Sequence, residues 1–389
     1  MNNQNVPTPC FVVEEEKLIK NLEILHSVME RTGCHILLAQ KCFSMYHVYP
    51  LIGQYLSGTT ASGLYEARLG KEYMDGETHV YSAAYREDEI DEILSICDHV
   101  IFNSFSQWEK YKEKAMKSSA KCGIRINPEC STQEGHAIYD PCSPGSRMGV
   151  TKKAFDEYAK THSLEGITGL HFHTLCEQNS DDLKVTLQAV EEKFGEYLPQ
   201  MEWLNFGGGH HITRDDYDIE TLVTCINHMK DTYQVQVILE PGEAVALNAG
   251  YLISTVLDVI ENGTKIAILD TSAACHMPDV LEMPYTPQIV GAKIAKEQKE
   301  EERPYQYTYR LGGPTCLAGD VIGDYVFDHE LQPGERLMFL DMAIYSMVKT
   351  NTFNGMKLPD IALKKTNDEA ADDIELVNTF GYEDFKCRL

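Results

Sequence analysis

The chain has 389 residues, 43% of them hydrophobic and 24% charged, with a formal net charge of −26. That composition excludes an intrinsically disordered chain, and the length exceeds the roughly 250 residues of a single (β/α)₈ barrel by about one further domain. The negative charge argues against a nucleic-acid partner; it serves solubility, or it concentrates cationic ligands around an acidic cleft.

The twelve cysteines are scattered without any C-x-x-C pair, so neither a zinc ribbon nor a dithiol motif is expected, and reduced thiols are the simpler reading. The segment MNNQNVPTPC lacks the basic and apolar regions of a signal peptide, and no long uncharged apolar run follows. A soluble, cytoplasmic protein with no membrane partner is expected.

From residue 34 onward, short apolar runs alternate with amphipathic stretches, the pattern of βα units feeding a parallel sheet. The runs are CHILLAQ (34–40), SGTTAS (57–62), HVYSA (79–83), HVIFN (99–103), CGIRIN (122–127), ITGLHFH (167–173), EWLNF (202–206) and VQVILE (235–240). Eight runs predict a barrel; the second is weak, and its assignment rests on the spacing of its neighbours. The stretches REDEIDEILSIC (86–97) and DDLKVTLQAVEEKFGEYL (181–198) place apolar residues at helical spacing and predict outer helices.

After about residue 250 the helical spacing fades. YLISTVLDVI, KIAILD, QIVGAKIA, YTYRLGG and ERLMFLDMAIYS predict strands of a second, C-terminal β-sheet domain. The expected division is a barrel over 30–248 and a β-rich domain built from 1–29 and 249–389.

Chemistry in (β/α)₈ enzymes sits at the C-terminal ends of the strands. Strand one runs into Lys41, strand five carries Arg125 and Asn127, and strand six carries His171 and His173. Strand seven runs into Gly207, Gly208 and Gly209, and strand eight ends in Glu240. Glycines bring bare N–H groups against a phosphate, though a tight strand-to-helix turn also demands them. A lysine after an apolar run is partly desolvated and becomes a nucleophilic amine, unless it merely snorkels at the surface. Glu240 suits the ring nitrogen of a pyridoxal cofactor, or a helix cap at the Pro-Gly turn. The H-x-H pair also admits a metal, as in barrel hydrolases, but no acidic or cysteine cluster accompanies it, and no metal is expected.

With Lys41, HFH, GGG and EPG in this order, and GPTCLAGDVIG (313–323) following, the chain resembles the fold-type III pyridoxal-phosphate decarboxylases, whose fold is alanine racemase-like. The resemblance implies pyridoxal 5'-phosphate held by Lys41 as a Schiff base and His173 against the ring. It implies phosphate held by Gly207 to Gly209 with Tyr345, and Glu240 at the ring nitrogen. It further implies a homodimer with shared active sites, in which Cys316 protonates Cα in the partner's site. Taken alone, Cys316 reads as a buried apolar filler.

Two departures bear on substrate. Ornithine-type members follow EPG with an arginine that helps hold phosphate, where this chain has Glu243, and they read H-V-G-S where it has His173, Thr174, Leu175 and Cys176. EPGE together with TSAACHMPDVLEMPY (271–285) looks most like the branch of carboxynorspermidine/carboxyspermidine decarboxylases. That likeness places Glu243 and Asp279, with Asp320 a less certain member, along a cationic polyamine tail. The alternatives are decarboxylation of diaminopimelate, ornithine or arginine, and a non-catalytic relative that binds cofactor or a regulatory protein. An alanine-type racemase sets an arginine at the ring nitrogen, which Glu240 opposes.

Overall fold

The computed structural model of the chain describes residues 3–133, 140–297, 306–365 and 373–389. They fall into two compact units, residues 21–245 and residues 1–20 with 246–389. The helix Glu15–Thr32 carries the chain from one unit into the other.

In the unit of residues 21–245, eight parallel strands close on themselves: His35–Ala39, Gly58–Ala61, Glu77–Tyr81, His99–Phe102, Lys121–Asn127, Ile167–His171, Trp203–Asn205 and Gln236–Leu239. Closure is made by strand eight on strand one, Ile238 pairing with His35 and Leu239 with Ile36. Each expected run contributes one strand. The weak second run is held because Gly58, at φ +151°, lets its backbone lie where any Cβ would meet Glu77 O at 2.0 Å. A short extra strand, Val150–Thr151, pairs beside strand five.

Side chains fill the barrel interior rather than a pore. Leu37, Ile101, Trp203 and Ile238 form one buried cluster. Gly123 and Gly169 are required by Trp203, whose ring stands 2.2 and 2.0 Å from the Cβ positions they lack. Outside lie helices Leu64–Tyr73, Ile90–Ile96, Phe105–Ala115, Lys152–Ala159, Ser180–Phe194 and Ile219–Tyr233. Ser104 and Asp218 cap two of these, accepting from Gln107 N–H at 3.3 Å and Thr221 N–H at 3.0 Å. The expected helix over 86–97 begins only at Ile90.

The other unit is a mixed nine-stranded sheet. Its long strand Gly250–Glu261 pairs antiparallel with Cys10–Glu14 and Arg336–Leu340, one on each edge of its first half, and with Lys265–Leu269 along its second half. Tyr307–Gly312 continues the sheet from Lys265–Leu269, followed by Val321–Phe327 and Ala292–Ile294; Asp360–Lys364 and Ile374–Asn378 extend the other edge. The run ERLMFLDMAIYS is a strand only to Leu340, because Asp341 takes a positive φ of 55° and its carboxylate accepts from Asn248 N–H at 2.7 Å. Among the described residues no helix is long and apolar enough to cross a membrane.

Candidate active-site residues

Lys41 stands two residues beyond strand one, on a turn fixed by Cys42 N–H donating to Ala39 O and Gln40 N–H to Thr60 O, both at 3.1 Å. Its side chain is open to solvent by surface area, yet burial of its ammonium pushes the pKa below the ordinary lysine value, and the Arg125 guanidinium adds to this. Although its surface reaches solvent, the volume around the ammonium is mostly protein, which solvates a charge poorly. Solvation governs protonation.

Glu240 follows strand eight directly and is buried. Its Oε2 lies 3.2 Å from His171 Nε2, and its Oε1 accepts from Asn205 Nδ2 at 2.8 Å. Burial alone would raise its pKa; the hydrogen bond and charge interaction with His171, joined by the hydrogen bond from Asn205, outweigh it and hold the carboxyl below its usual value. Burial pushes the His171 pKa down. Facing an acceptor-only carboxylate, the ring carries a proton on Nε2 and donates it to Glu240. The His171 ring stacks on Tyr81 at 5.4 Å, and the Arg125 guanidinium lies 4.6 Å over the centre of the same Tyr81 ring.

His173 lies just past the end of strand six and faces different partners from His171. Its Nδ1 accepts from Gly208 N–H at 3.1 Å, and burial holds its pKa well below the usual value. Arg125 fixes the same segment by donating from Nη2 to His173 O at 3.1 Å. The imidazole is neutral, with its proton on Nε2.

The glycine run is demanded by packing. A Cβ at Gly207 would meet Phe172 O at 2.4 Å, at Gly208 Glu240 O at 2.5 Å, and at Gly209 Leu175 O at 1.9 Å. Gly207 N–H donates to Asn205 Oδ1 at 2.8 Å, and Gly208 N–H is taken by His173. Of the three glycine amides expected to cradle a phosphate, two are therefore spent inside the chain. Gly209 supplies the one with no internal acceptor among the described residues.

Glu243 opens the short helix Glu243–Ala246, and His211 Nε2 lies 3.2 Å from its Oε2. Neither Asn205 nor His211 was singled out from sequence. Asn205 ends strand seven two residues after the inward-facing Trp203, a strand-end position that marks it; His211 follows the glycine run directly.

The remaining candidates belong to the sheet unit. Cys316 is exposed, and its N–H donates to Asn354 Oδ1 at 3.0 Å. Asp320 is buried, and its carboxylate is occupied: Oδ2 accepts from Ser272 Oγ at 2.9 Å and Thr315 Oγ1 at 2.7 Å, and Oδ1 from Ala274 N–H at 3.2 Å. Those bonds hold the loop that carries Cys316 and leave Asp320 poorly placed to hold a substrate cation. Asp279 and Glu282 share the Lys349 ammonium, Glu282 at 2.7 Å. Tyr345 is half-buried, with a positive φ of 51°.

Comparison with known proteins bears on what these groups do. The family model "Pyridoxal-dependent decarboxylase, C-terminal sheet domain" matches residues 28–343. A carboxynorspermidine/carboxyspermidine decarboxylase of Campylobacter jejuni is 44% identical over 389 residues, covering 99% of each chain. A carboxyaminopropylagmatine decarboxylase of Synechocystis is 43% identical over 387 residues, covering 99% of this chain and 96% of its own. The crystal structure of the Campylobacter jejuni carboxynorspermidine decarboxylase complexed with norspermidine superposes with a TM-score of 0.89 at 43% identity, covering 99% of this chain and all of that one.

Proposed function

Since the chain belongs to the pyridoxal-dependent decarboxylases, we propose that it removes carbon dioxide from carboxynorspermidine and/or carboxyspermidine in polyamine biosynthesis. The observation that carries this reading is the full-length 44% identity to an enzyme named for those two substrates. The chain is a carboxy-lyase, and its cofactor is pyridoxal 5'-phosphate.

The residues present suit that cofactor. Lys41 offers an amine with a lowered pKa, Glu240 a buried ionised carboxylate, and the glycine run a surface on which no side chain fits. When bound, pyridoxal phosphate accepts the electron pair left on Cα as the carboxylate departs. Lys41 Nζ, with its lowered pKa, is the amine that would hold the cofactor through its aldehyde. Glu240 keeps a proton on the ring nitrogen; each of its oxygens makes one internal hydrogen bond and retains lone-pair capacity for a second. His173, neutral and fixed by Gly208, would face the ring, and Gly209 N–H would offer a donor to the phosphate; the family resemblance assigns Tyr345 to the phosphate as well.

The family resemblance assigns Glu243 and Asp279 to the ammonium groups of the tail, and Glu282, which shares Lys349 with Asp279, adds a carboxylate beside the latter. Asp320 positions the Cys316 loop rather than touching substrate, and Cys316 returns the proton to Cα. We further infer a cytoplasmic homodimer in which each Cys316 serves the other subunit's site. Exposure of Cys316 beside exposed Leu317, with Phe353 exposed next to its anchor Asn354, supports a surface that docks on a second copy.

The Synechocystis relative favours a second reading, a substrate whose tail ends in a guanidinium. A carboxylate pair such as Asp279 and Glu282 suits either cation. The test is carbon dioxide release from carboxynorspermidine, carboxyspermidine, carboxyaminopropylagmatine, diaminopimelate, ornithine and arginine, with Lys41→Ala as the dead control. The highest kcat/KM should fall on a carboxynorspermidine-type substrate. Preference for carboxyaminopropylagmatine would select the second reading, and preference for diaminopimelate would reject both.

A further inference from the structure

At the opposite end of the barrel strands from Lys41 and Glu240, three side chains converge. Glu77 opens strand three, His79 lies two residues on and so on the same face, and His99 opens strand four directly beside His79 in the sheet. Glu77 Oε2 lies 2.8 Å from His79 Nε2, and His79 Nε2 lies 2.7 Å from His99 Nδ1. Each residue offers a ligand atom, and all three atoms lie within 4.8 Å of one another.

The contacts are those of a donor set. A carboxylate has no proton to offer, and each neutral imidazole carries a lone pair on one ring nitrogen, so one carboxylate oxygen and two imidazole nitrogens can turn lone pairs on a common point. His99 Nδ1 also lies 3.2 Å from His79 Nδ1, so it bears on both nitrogens of that ring rather than along a single donor–acceptor line.

We propose that Glu77, His79 and His99 bind a divalent cation of the zinc class, which ties barrel strands three and four together at their N-terminal ends. Imidazole nitrogen and carboxylate oxygen are ordinary zinc donors, and small side-chain rotations open the 2.7 and 2.8 Å spacings to the edges of a tetrahedron with bonds of roughly 2.0 to 2.2 Å. Each ligating imidazole keeps its proton on the ring nitrogen that does not face the ion. Glu77 is 31% exposed, which gives the ion an entry path and a water as fourth ligand.

The surroundings resemble a built site. His35, the first residue of strand one, sets its Nδ1 3.0 Å from Glu77 Oε1, the free oxygen of the ligating carboxylate, and so orients it. Trp203 stacks on the His99 ring at 5.0 Å and fixes its plane. Lys121, the cation nearest in register to His99, has its ammonium drawn off by Glu202 at 3.0 Å. The N-terminal pole of such barrels serves stability, so the ion is structural.

The test uses the purified holoenzyme, stripped with a chelator and then titrated with Zn²⁺ or Co²⁺ alone. One equivalent of Zn²⁺ per chain should bind and raise the melting temperature by several degrees, with decarboxylation at room temperature unchanged. Co²⁺ should quench Trp203, one of only two tryptophans, without the thiolate absorption that capture by the twelve cysteines would give. His79→Gln and His99→Gln should abolish binding, and His35→Gln should weaken it roughly 10- to 100-fold. Should the buried histidine variants fail to fold, the partly exposed Glu77→Gln provides the same comparison. Absence of one-to-one binding to the wild-type chain, thiolate bands, or binding undiminished in Glu77→Gln would each overturn the site.

Discussion

At the scale of single residues, the site is defined by which protons are absent. Glu240 is ionised, and His171 and His173 are neutral, each because of a particular partner and a particular burial. Glu240→Gln removes the charge that the proposed site sets at the ring nitrogen while preserving shape. Cofactor content should remain near wild type while kcat falls on the order of 10²-fold, a split that single-turnover kinetics with a cofactor assay will resolve. Asp279→Asn should act on binding instead, raising KM by the equivalent of about 1.5 to 3 kcal/mol with kcat little changed. An unchanged KM with loss of cofactor colour would move Asp279 out of the tail site. Sequence marked both carboxylates; it did not reveal that Lys349 already holds Asp279, because that pairing spans 70 positions.

At the scale of elements, turns and strand ends decide the function. The Gly209 turn is one: with φ +81° and Leu175 O 1.9 Å from any Cβ, Gly209→Ala cannot be accommodated without moving the segment after strand six, which carries His173. Loss of cofactor and a stability deficit well above about 1 kcal/mol should follow, read by urea midpoint and visible absorbance. The turn at Ser272–His276 is another. His276 Nδ1 accepts from Ser272 N–H at 3.2 Å, its Nε2 lies 3.0 Å from Lys357 O, and burial lowers its pKa to about 4. The unfolded ring takes its proton near 6.5, so between about 6.5 and 4 the unfolded state binds more protons and folding stability falls as pH falls. Urea midpoints should therefore drop from pH 7 to pH 4.5, and less steeply in His276→Gln. A pH slope identical to wild type would show that His276 is already charged when folded.

At the scale of the molecule, the proposed shared site makes the assembly part of the chemistry. If Lys41 and Cys316 of one working site belong to different subunits, Lys41→Ala and Cys316→Ala enzymes should each be nearly inactive. Mixed subunits should recover roughly a quarter of wild-type turnover, since about half the dimers carry one intact site. Hybrid dimers verified by mass spectrometry but inactive would reject the shared site and leave the decarboxylase assignment standing.

The sequence by itself determined the eight barrel strands and the polar residues at their ends, because the alternation of apolar and amphipathic segments is local and repeats. It was less informative in the sheet unit, where Val321–Phe327, Asp360–Lys364 and Ile374–Asn378 were not singled out. Those short strands carry charged or small residues and owe their pairing to neighbours far along the chain. Only the tertiary structure decided how each polar group is used. It showed that Asp320 is occupied by Ser272 and Thr315, that Gly207 and Gly208 donate inward, and that Glu77 and His79 meet a histidine twenty positions away. Periodicity says which face a side chain occupies. Barrel closure and strand register, which are cooperative properties of the whole sheet, say what it meets there.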